Sequence, residues 1–349
     1  MLLYLHIPFC DSKCHYCAFN SYVDKFDLKV VYMNAILIQL KSELERFEAT
    51  DQNIETLFIG GGTPSAISPK FYQPFFDLIK PYLQKDAEIT TEANPNSATK
   101  QWLEGMKALG VNRVSFGVQS FDDDKLTMLG RNHTSHMATQ AIENAHKVGF
   151  KNISLDLIYG TSVDTKKLLE NDIKIAFSLP INHLSAYSLT LEEGTDFFNK
   201  PQVQNDDENL AYWFTEKIPL PQYEISNFGS FKSKHNLGYW QYKDYLGIGS
   251  GAVGFLKDKR FYTQNDIESY INNPLDIKVE NLDKEAIISE KILLGIRSMV
   301  GFSKSLLTKH QLKNAMVLVG ENKLVLKNTY FFNSNYFLSD EIALYILEH

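Results

Sequence analysis

Met1-Leu-Leu-Tyr-Leu-His-Ile-Pro-Phe-Cys10-Asp-Ser-Lys-Cys14-His-Tyr-Cys17 opens the chain. Residues 2–7 read as a short apolar strand, Pro8 ends it, and the cysteines follow at once. All three cysteines of the protein lie here, spaced C-x3-C-x2-C. A reactive loop directly after a strand is where barrel-type α/β folds place their sites. Three thiolates this close in sequence suit an iron–sulfur cluster, whose usual protein ligands are Cys thiolates. Three sulfurs on a four-iron cluster leave one iron open, and an open metal position is where a further ligand or chemistry goes. Two other readings remain: a structural zinc completed by His6 or His15, or three unrelated thiols. With no cysteine elsewhere to pair with, a disulfide framework is disfavoured and a reducing, cytoplasmic setting is expected.

The pattern of that first unit repeats outward. Asp27 is the predicted N-cap of a long helix, whose apolar face runs Met33, Leu37, Leu40, Leu44 and Phe47. Further strands are predicted over 56–59, 88–93, 113–117, 152–158 and 183–189. Helices are predicted around 70–83, 99–109, 122–129, 135–148 and 165–177. Six strands alternating with helices imply parallel pairing through right-handed crossovers. Six units fall short of the eight of a closed barrel. The expected fold is therefore α/β, an incomplete, laterally open (β/α)6 barrel over 1–215.

Beyond 190 the rhythm breaks. A helix over 206–217 leads to a hinge at Pro219-Leu-Pro221, since each proline disfavours helix before it. Strands over 223–228, 245–249 and 259–262, a helix over 283–299, short strands near 323–326 and 330–332 and a last helix read as a smaller α+β domain over 216–349.

Polar residues gather at one end of the predicted strands. Gly60-Gly61-Gly62-Thr63-Pro64 follows the second, and Glu92 ends the third. Gln119 follows the fourth, Asp156 lies late in the fifth, and Tyr187 and Ser188 late in the sixth. The glycines let backbone N–H groups approach a ligand closely, although alone they also read as a tight turn. Singly each residue could be a turn or a satisfied core group; six at one rim describe a site.

Composition adds exclusions. Of 349 residues 44% are hydrophobic and 22% charged, which is ordinary for a globular chain. Lys and Arg number 35 against 42 Asp and Glu, a net charge of −7 that does not favour nucleic acid as partner. No basic segment precedes an apolar run at the N-terminus, and no run of about 18 apolar residues occurs, so neither a signal peptide nor a transmembrane helix is expected.

The cysteine spacing resembles that of the radical S-adenosylmethionine (radical SAM) superfamily. There the open iron is chelated by the amino and carboxylate groups of the nucleoside, which electron transfer cleaves to a 5'-deoxyadenosyl radical. The resemblance narrows through Tyr4-Leu-His-Ile-Pro-Phe-Cys10, Gly60-Gly61-Gly62-Thr63-Pro64, Glu92-Ala-Asn-Pro95, Ser115-Phe-Gly-Val-Gln-Ser-Phe121, Leu129-Gly-Arg-Asn-His133 and Leu155-Asp-Leu-Ile-Tyr-Gly160. In that order they look like the oxygen-independent coproporphyrinogen III dehydrogenase group, which includes the HemW haem chaperones. The match implies that Cys10, Cys14 and Cys17 ligate a [4Fe–4S] cluster and that Tyr4, Gly61 and Glu92 surround the SAM on it. It further implies that Tyr16, Gly62, Thr63, Gln119, Arg131 and Asp156 resemble the lining of a second SAM site in the dehydrogenase. After the fifth strand the group reads Gly-Leu-Pro where this chain has Gly160-Thr161-Ser162, which puts the geometry of that loop in doubt.

Three details separate the relatives. The dehydrogenase carries a fourth cysteine where this chain has Phe19, as in HemW. It also carries a substantial extension ahead of the motif, whereas here the first cysteine is residue 10. His235-Asn-Leu-Gly-Tyr-Trp240 matches the H-N-x-x-Y-W motif of HemW, associated with haem binding. Imidazole or phenolate can ligate haem iron, which makes His235, with Tyr239 or Trp240, the haem candidates. The resemblance thus implies a haem chaperone with [4Fe–4S] cluster, SAM and haem. Its partners would be haem-accepting apoproteins, membrane-associated respiratory enzymes among them, with no nucleic acid, and a homodimer is open to it. The alternatives are the oxidative decarboxylase of coproporphyrinogen III and a radical SAM enzyme modifying tRNA or peptide.

Overall fold

Six strand–helix units form in the predicted order in the computed structural model, which describes residues 1–347. They are β1 (Leu2–Ile7), α1 (Lys29–Arg46), β2 (Ile54–Gly61), α2 (Gln73–Ile79), β3 (Leu83–Ala93), α3 (Lys100–Ala108), β4 (Arg113–Gln119), α4 (Asp123–Met128), α5 (Ser135–Val148), β5 (Asn152–Tyr159), α6 (Lys166–Ala176) and β6 (His183–Ser188). Strands β1 to β6 pair in parallel, each with the next. Alternation puts Leu3, Leu5 and Ile7 in the main apolar core with Ile36 and Leu40 of α1. Side chains of the other face, such as Thr56, Glu88 and Ser154, fill a polar interior.

The sheet does not close. After α7 (Glu208–Lys217) the chain adds β7 (Asn227–Gly229), antiparallel to β6. Then come α8 (Lys234–Trp240), β8 (Tyr245–Ile248), β9 (Val253–Leu256), β10 (Lys259–Tyr262), α9 (Ile267–Asn272) and β11 (Lys278–Asn281). Strand β8 joins the free edge of β1 in parallel, and β9, β10 and β11 follow antiparallel, so that eleven strands make one open sheet. The remaining elements are α10 (Lys284–Ile296), β12 (Phe302–Ser303), α11 (Lys309–Gly320), β13 (Leu324–Lys327), β14 (Tyr330–Asn333) and α12 (Ser339–Leu347). They bury a core of their own around Ile292, Ile296, Phe331 and Ile342, beside the small antiparallel sheet β12-β14-β13. No helix of the described residues is long and apolar enough to cross a membrane.

Three expectations need correction. Asp27 caps nothing: it lies in a 3-10 turn, Phe26–Leu28, through which the chain enters α1. The helix expected over 70–83 shrinks to α2 between two 3-10 turns, because Pro74 and Pro81 lack the N–H a continuing helix needs. The strand expected over 223–228 reduces to β7, while Glu224 makes only an isolated bridge to Ser298.

Candidate functional site

A cavity of about 980 Å³ opens at the C-terminal ends of the parallel strands. Cys10, Cys14 and Cys17 line it with Gly61, Gly62, Thr63, Glu92, Gln119, Arg131, Asp156, Tyr187 and Ser188. Of the predicted rim residues all but Gly60 therefore face one space.

The cysteine loop is held by backbone first. Gly62 N donates to Ile7 O and Thr63 N to Phe9 O, each at 2.8 Å, so the glycine turn docks edge-on against the end of β1 and the residues that follow it. Cys10 N donates to Tyr22 O at 3.0 Å. Thr63 Oγ1 lies 3.4 Å from Cys10 Sγ, and Arg131 Nη1 donates to Cys14 Sγ at 3.2 Å. Burial pushes the Cys10 and Cys17 thiols up. Thiolate ligation by a metal centre would offset that desolvation.

The donor set fits a cluster better than zinc. His6, which could have completed a zinc site, has Nδ1 at 3.0 Å from Tyr4 Oη and Nε2 at 2.8 Å from Asn20 O. His15 turns Nδ1 onto Met128 O at 3.0 Å. Among the described residues no three His, Cys, Asp or Glu side chains converge as a single ion requires. What remains is a set of three soft sulfurs, the ligand type of iron–sulfur clusters.

Two carboxyls line the same cavity as the sulfurs. Glu92 Oε2 accepts from Gly61 N at 3.2 Å, and Asp156 Oδ1 from Ser115 Oγ at 3.4 Å. Burial, and then the neighbouring Asp156, raises Glu92 to about 8; burial raises Asp156 to about 6. Both hold their protons to higher pH than an unfolded chain would, so the stability they contribute is lost as pH rises through those values. A cation entering between them favours the ionised forms. Its affinity is therefore expected to climb between about pH 6 and about pH 9, with a proton released on binding. Calorimetry in buffers of different ionisation heat reads both quantities, and a flat profile would refute the pairing.

Gln119 reaches the wall from a left-handed backbone (φ 69°), at the point where the β4–β5 register shifts. Such a conformation in a non-glycine residue is uncommon and concentrates at functional sites. Tyr16 lines the cavity, while Tyr4 lies inside the barrel, its ring stacked on Phe58. The sequence reading overlooked Asn94, which sits inside a motif it quoted, and Tyr336 and Phe337, which arrive from far along the chain.

His235, Tyr239 and Trp240 lie elsewhere. They belong to α8, which packs at the N-terminal ends of the strands, where Gly238 meets Leu2 so closely that a Cβ would sit 2.6 Å from it. His235 is 1% exposed. Its Nδ1 lies 2.7 Å from Thr56 Oγ1 and its Nε2 3.0 Å from Tyr239 Oη, while Glu88 accepts from the backbone N–H groups of Lys234 and His235. Trp240 Nε1 is buried with no hydrogen-bond partner among the described residues.

The Radical SAM superfamily model matches residues 4–176. A Bacillus subtilis (strain 168) protein named heme chaperone HemW is 36% identical over 321 residues, covering 86% of this chain and 84% of that one. The Escherichia coli (strain K12) protein of the same name is 38% identical over 263 residues, covering 72% and 69%. In fold, the chain is similar to coproporphyrinogen III oxidase (HemN) from Escherichia coli, described as a radical SAM enzyme. The TM-score is 0.81 at 19% identity, with 99% of this chain and 89% of that one covered. At that identity the likeness is one of fold alone.

Proposed function

Since the chain belongs to the HemW haem chaperone family within the radical SAM superfamily, we propose that it binds haem and passes it to acceptor apoproteins. Respiratory haem enzymes at the membrane are the acceptors we favour. Cys10, Cys14 and Cys17 would hold a [4Fe–4S] cluster, which when bound supplies single electrons to a coordinated SAM. Gly61 and Glu92 would orient the nucleoside's amino-acid end, and Asp156 would accept from its ribose. We assign the cluster and nucleoside to 1–215 and haem to 216–349.

The observation that carries this reading is a separation. The sulfurs and carboxyls face one cavity at the C-terminal ends of the strands, and the His235 motif sits at the other ends. Two cofactors would thus have two places. Burial, and then the charge of Arg113, pushes His235 down to about 3, so its imidazole is neutral, the form that ligates iron. Both ring nitrogens are occupied, so α8 must release Thr56 or Tyr239 before iron can bind there.

Anaerobic haem titration of the cluster-reconstituted protein, followed by Soret absorbance, tests this. Binding near one haem per chain is expected, weakened in His235→Ala and retained in Thr56→Val, which frees Nδ1 but keeps the ring. Binding indifferent to His235→Ala would keep the chaperone reading and move the ligand off His235. Conversion of coproporphyrinogen III to protoporphyrinogen with SAM and a reductant would overturn the chaperone reading itself.

A further inference from the structure

Arg131 sits where the sequence resemblance would have it grip a second nucleoside. A guanidinium holding a carboxylate does so as a fork, through two parallel N–H bonds. Here the fork is already divided. Nη1 donates to Cys14 Sγ at 3.2 Å, and Nη2 donates to Asn94 Oδ1 at 3.0 Å and Gly117 O at 2.7 Å. Nε is buried and has no hydrogen-bond partner among the described residues.

The partners are themselves fixed. Asn94 N donates to Ser65 Oγ at 2.9 Å, which pins that residue next to the glycine turn. Arg131 N donates to Leu126 O at 2.9 Å, closing the end of α4. A Cβ on Gly117 would crowd Gln119 Nε2 at 3.0 Å but only touch Arg131 Nη2, at 3.5 Å. Any parallel fork needs one N–H of Nη2, so a carboxylate could take it only by displacing Asn94 or the Gly117 carbonyl.

We propose that Arg131 is a positioning residue for the cluster ligand Cys14, not a ligand of a second nucleoside, and that the chain binds a single SAM. The proposal rests on the reading that Cys10, Cys14 and Cys17 hold the cluster. A charged N–H donor on a ligating sulfur stabilises the more negative, reduced state, and hydrogen bonds to the sulfurs are among the determinants of cluster potential. Removing the charge therefore lowers the midpoint potential. Arg131→Lys keeps the charge but not the three-way reach, and falls between.

The experiment measures bound SAM per chain by equilibrium dialysis, and the midpoint potential by a titration followed by electron paramagnetic resonance. Both use the anaerobically reconstituted protein, as wild type, Arg131→Lys and Arg131→Gln. One SAM per chain is expected in all three, with the midpoint falling from wild type to lysine to glutamine. Should the glutamine variant take up too little iron to titrate, that loss supports the same role, and the lysine variant supplies the potential. Two SAM per chain in the wild type, dropping to one in Arg131→Gln, would overturn the proposal. So would an unchanged midpoint with unchanged iron. A wild type that takes up no iron would instead sink the cluster reading beneath it.

Discussion

Lys125→Met is expected to lower the unfolding free energy by about 3–5 kcal/mol, the range for breaking one side of a buried ion pair. Lys125 Nζ lies 2.6 Å from Asp164 Oδ1 and donates to Ile158 O at 2.6 Å, and neither side chain of the pair has any exposed surface. The other oxygen of Asp164 accepts from Thr161 N at 2.8 Å. Without the lysine, a buried carboxylate loses its countercharge and either ionises at great expense or takes up a proton. Asp164→Asn strands the ammonium in the same way. The double variant Lys125→Met/Asp164→Asn removes both charges, so it should recover much of the loss. A double-mutant cycle by denaturant unfolding should give a coupling of at least about 2 kcal/mol; a Lys125→Met cost below about 1 kcal/mol would show the pair to be inert.

The same pair explains the loop where the sequence parts from its relatives. Gly160-Thr161-Ser162 is not left loose by lacking Leu-Pro. Asn205 N donates to Gly160 O and Ser162 N to Val203 O, both at 2.8 Å, and Thr161 bridges Gln204. Ile158 and Gly160 line the cavity, so this clamp shapes its wall. Where Pro would stiffen the backbone covalently, this chain uses a buried charge. Nothing in the sequence announces it, because Lys125 and Asp164 are 39 positions apart on different units, and a lone Lys in a helix reads as solvent-facing.

What was legible follows one physical rule. Strands buried on both faces appear as apolar runs, so β1 to β6 and their order could be read. Loops after such strands meet at one rim, so the cysteines, the glycines, Glu92, Gln119 and Asp156 could be brought together before any coordinates. Strands of three or four residues carry little pattern, and of these β9 and β11 went unread and β7 was misplaced. Burial of α8 was equally hidden. His235-Asn-Leu-Gly-Tyr-Trp240 names residues suited to haem, yet which face a seven-residue helix turns inward depends on Leu2, Thr56 and Glu88, more than 140 residues earlier.

Gly62→Ala is expected to strip the protein of most of its iron, and Gly60→Ala to leave the iron in place but weaken SAM about tenfold, or ~1.4 kcal/mol. The difference lies in what each new methyl group meets. A Cβ on Gly62 would stand 2.9 Å from the carbonyl oxygens of Ile7 and Phe9 and 3.0 Å from Cys10 Sγ. Those carbonyls already accept from Gly62 N and Thr63 N, so they cannot step aside without undocking the glycine turn from the cysteine loop. Overpacking of this kind costs about 1–3 kcal/mol, and here the strain falls on a cluster ligand. A Cβ on Gly60 would meet Glu92 Oε2 and the Phe58 ring, each at 2.9 Å. Side chains can swing, so the fold absorbs the change, but the Glu92 carboxylate leaves Gly61 N, from which it now accepts at 3.2 Å. Iron per chain after anaerobic reconstitution and SAM affinity by equilibrium dialysis separate the two. Equal losses in both variants would mean that the turn acts as one unit; iron lost from Gly60→Ala alone would place the sulfurs, not the carboxyls, against that glycine.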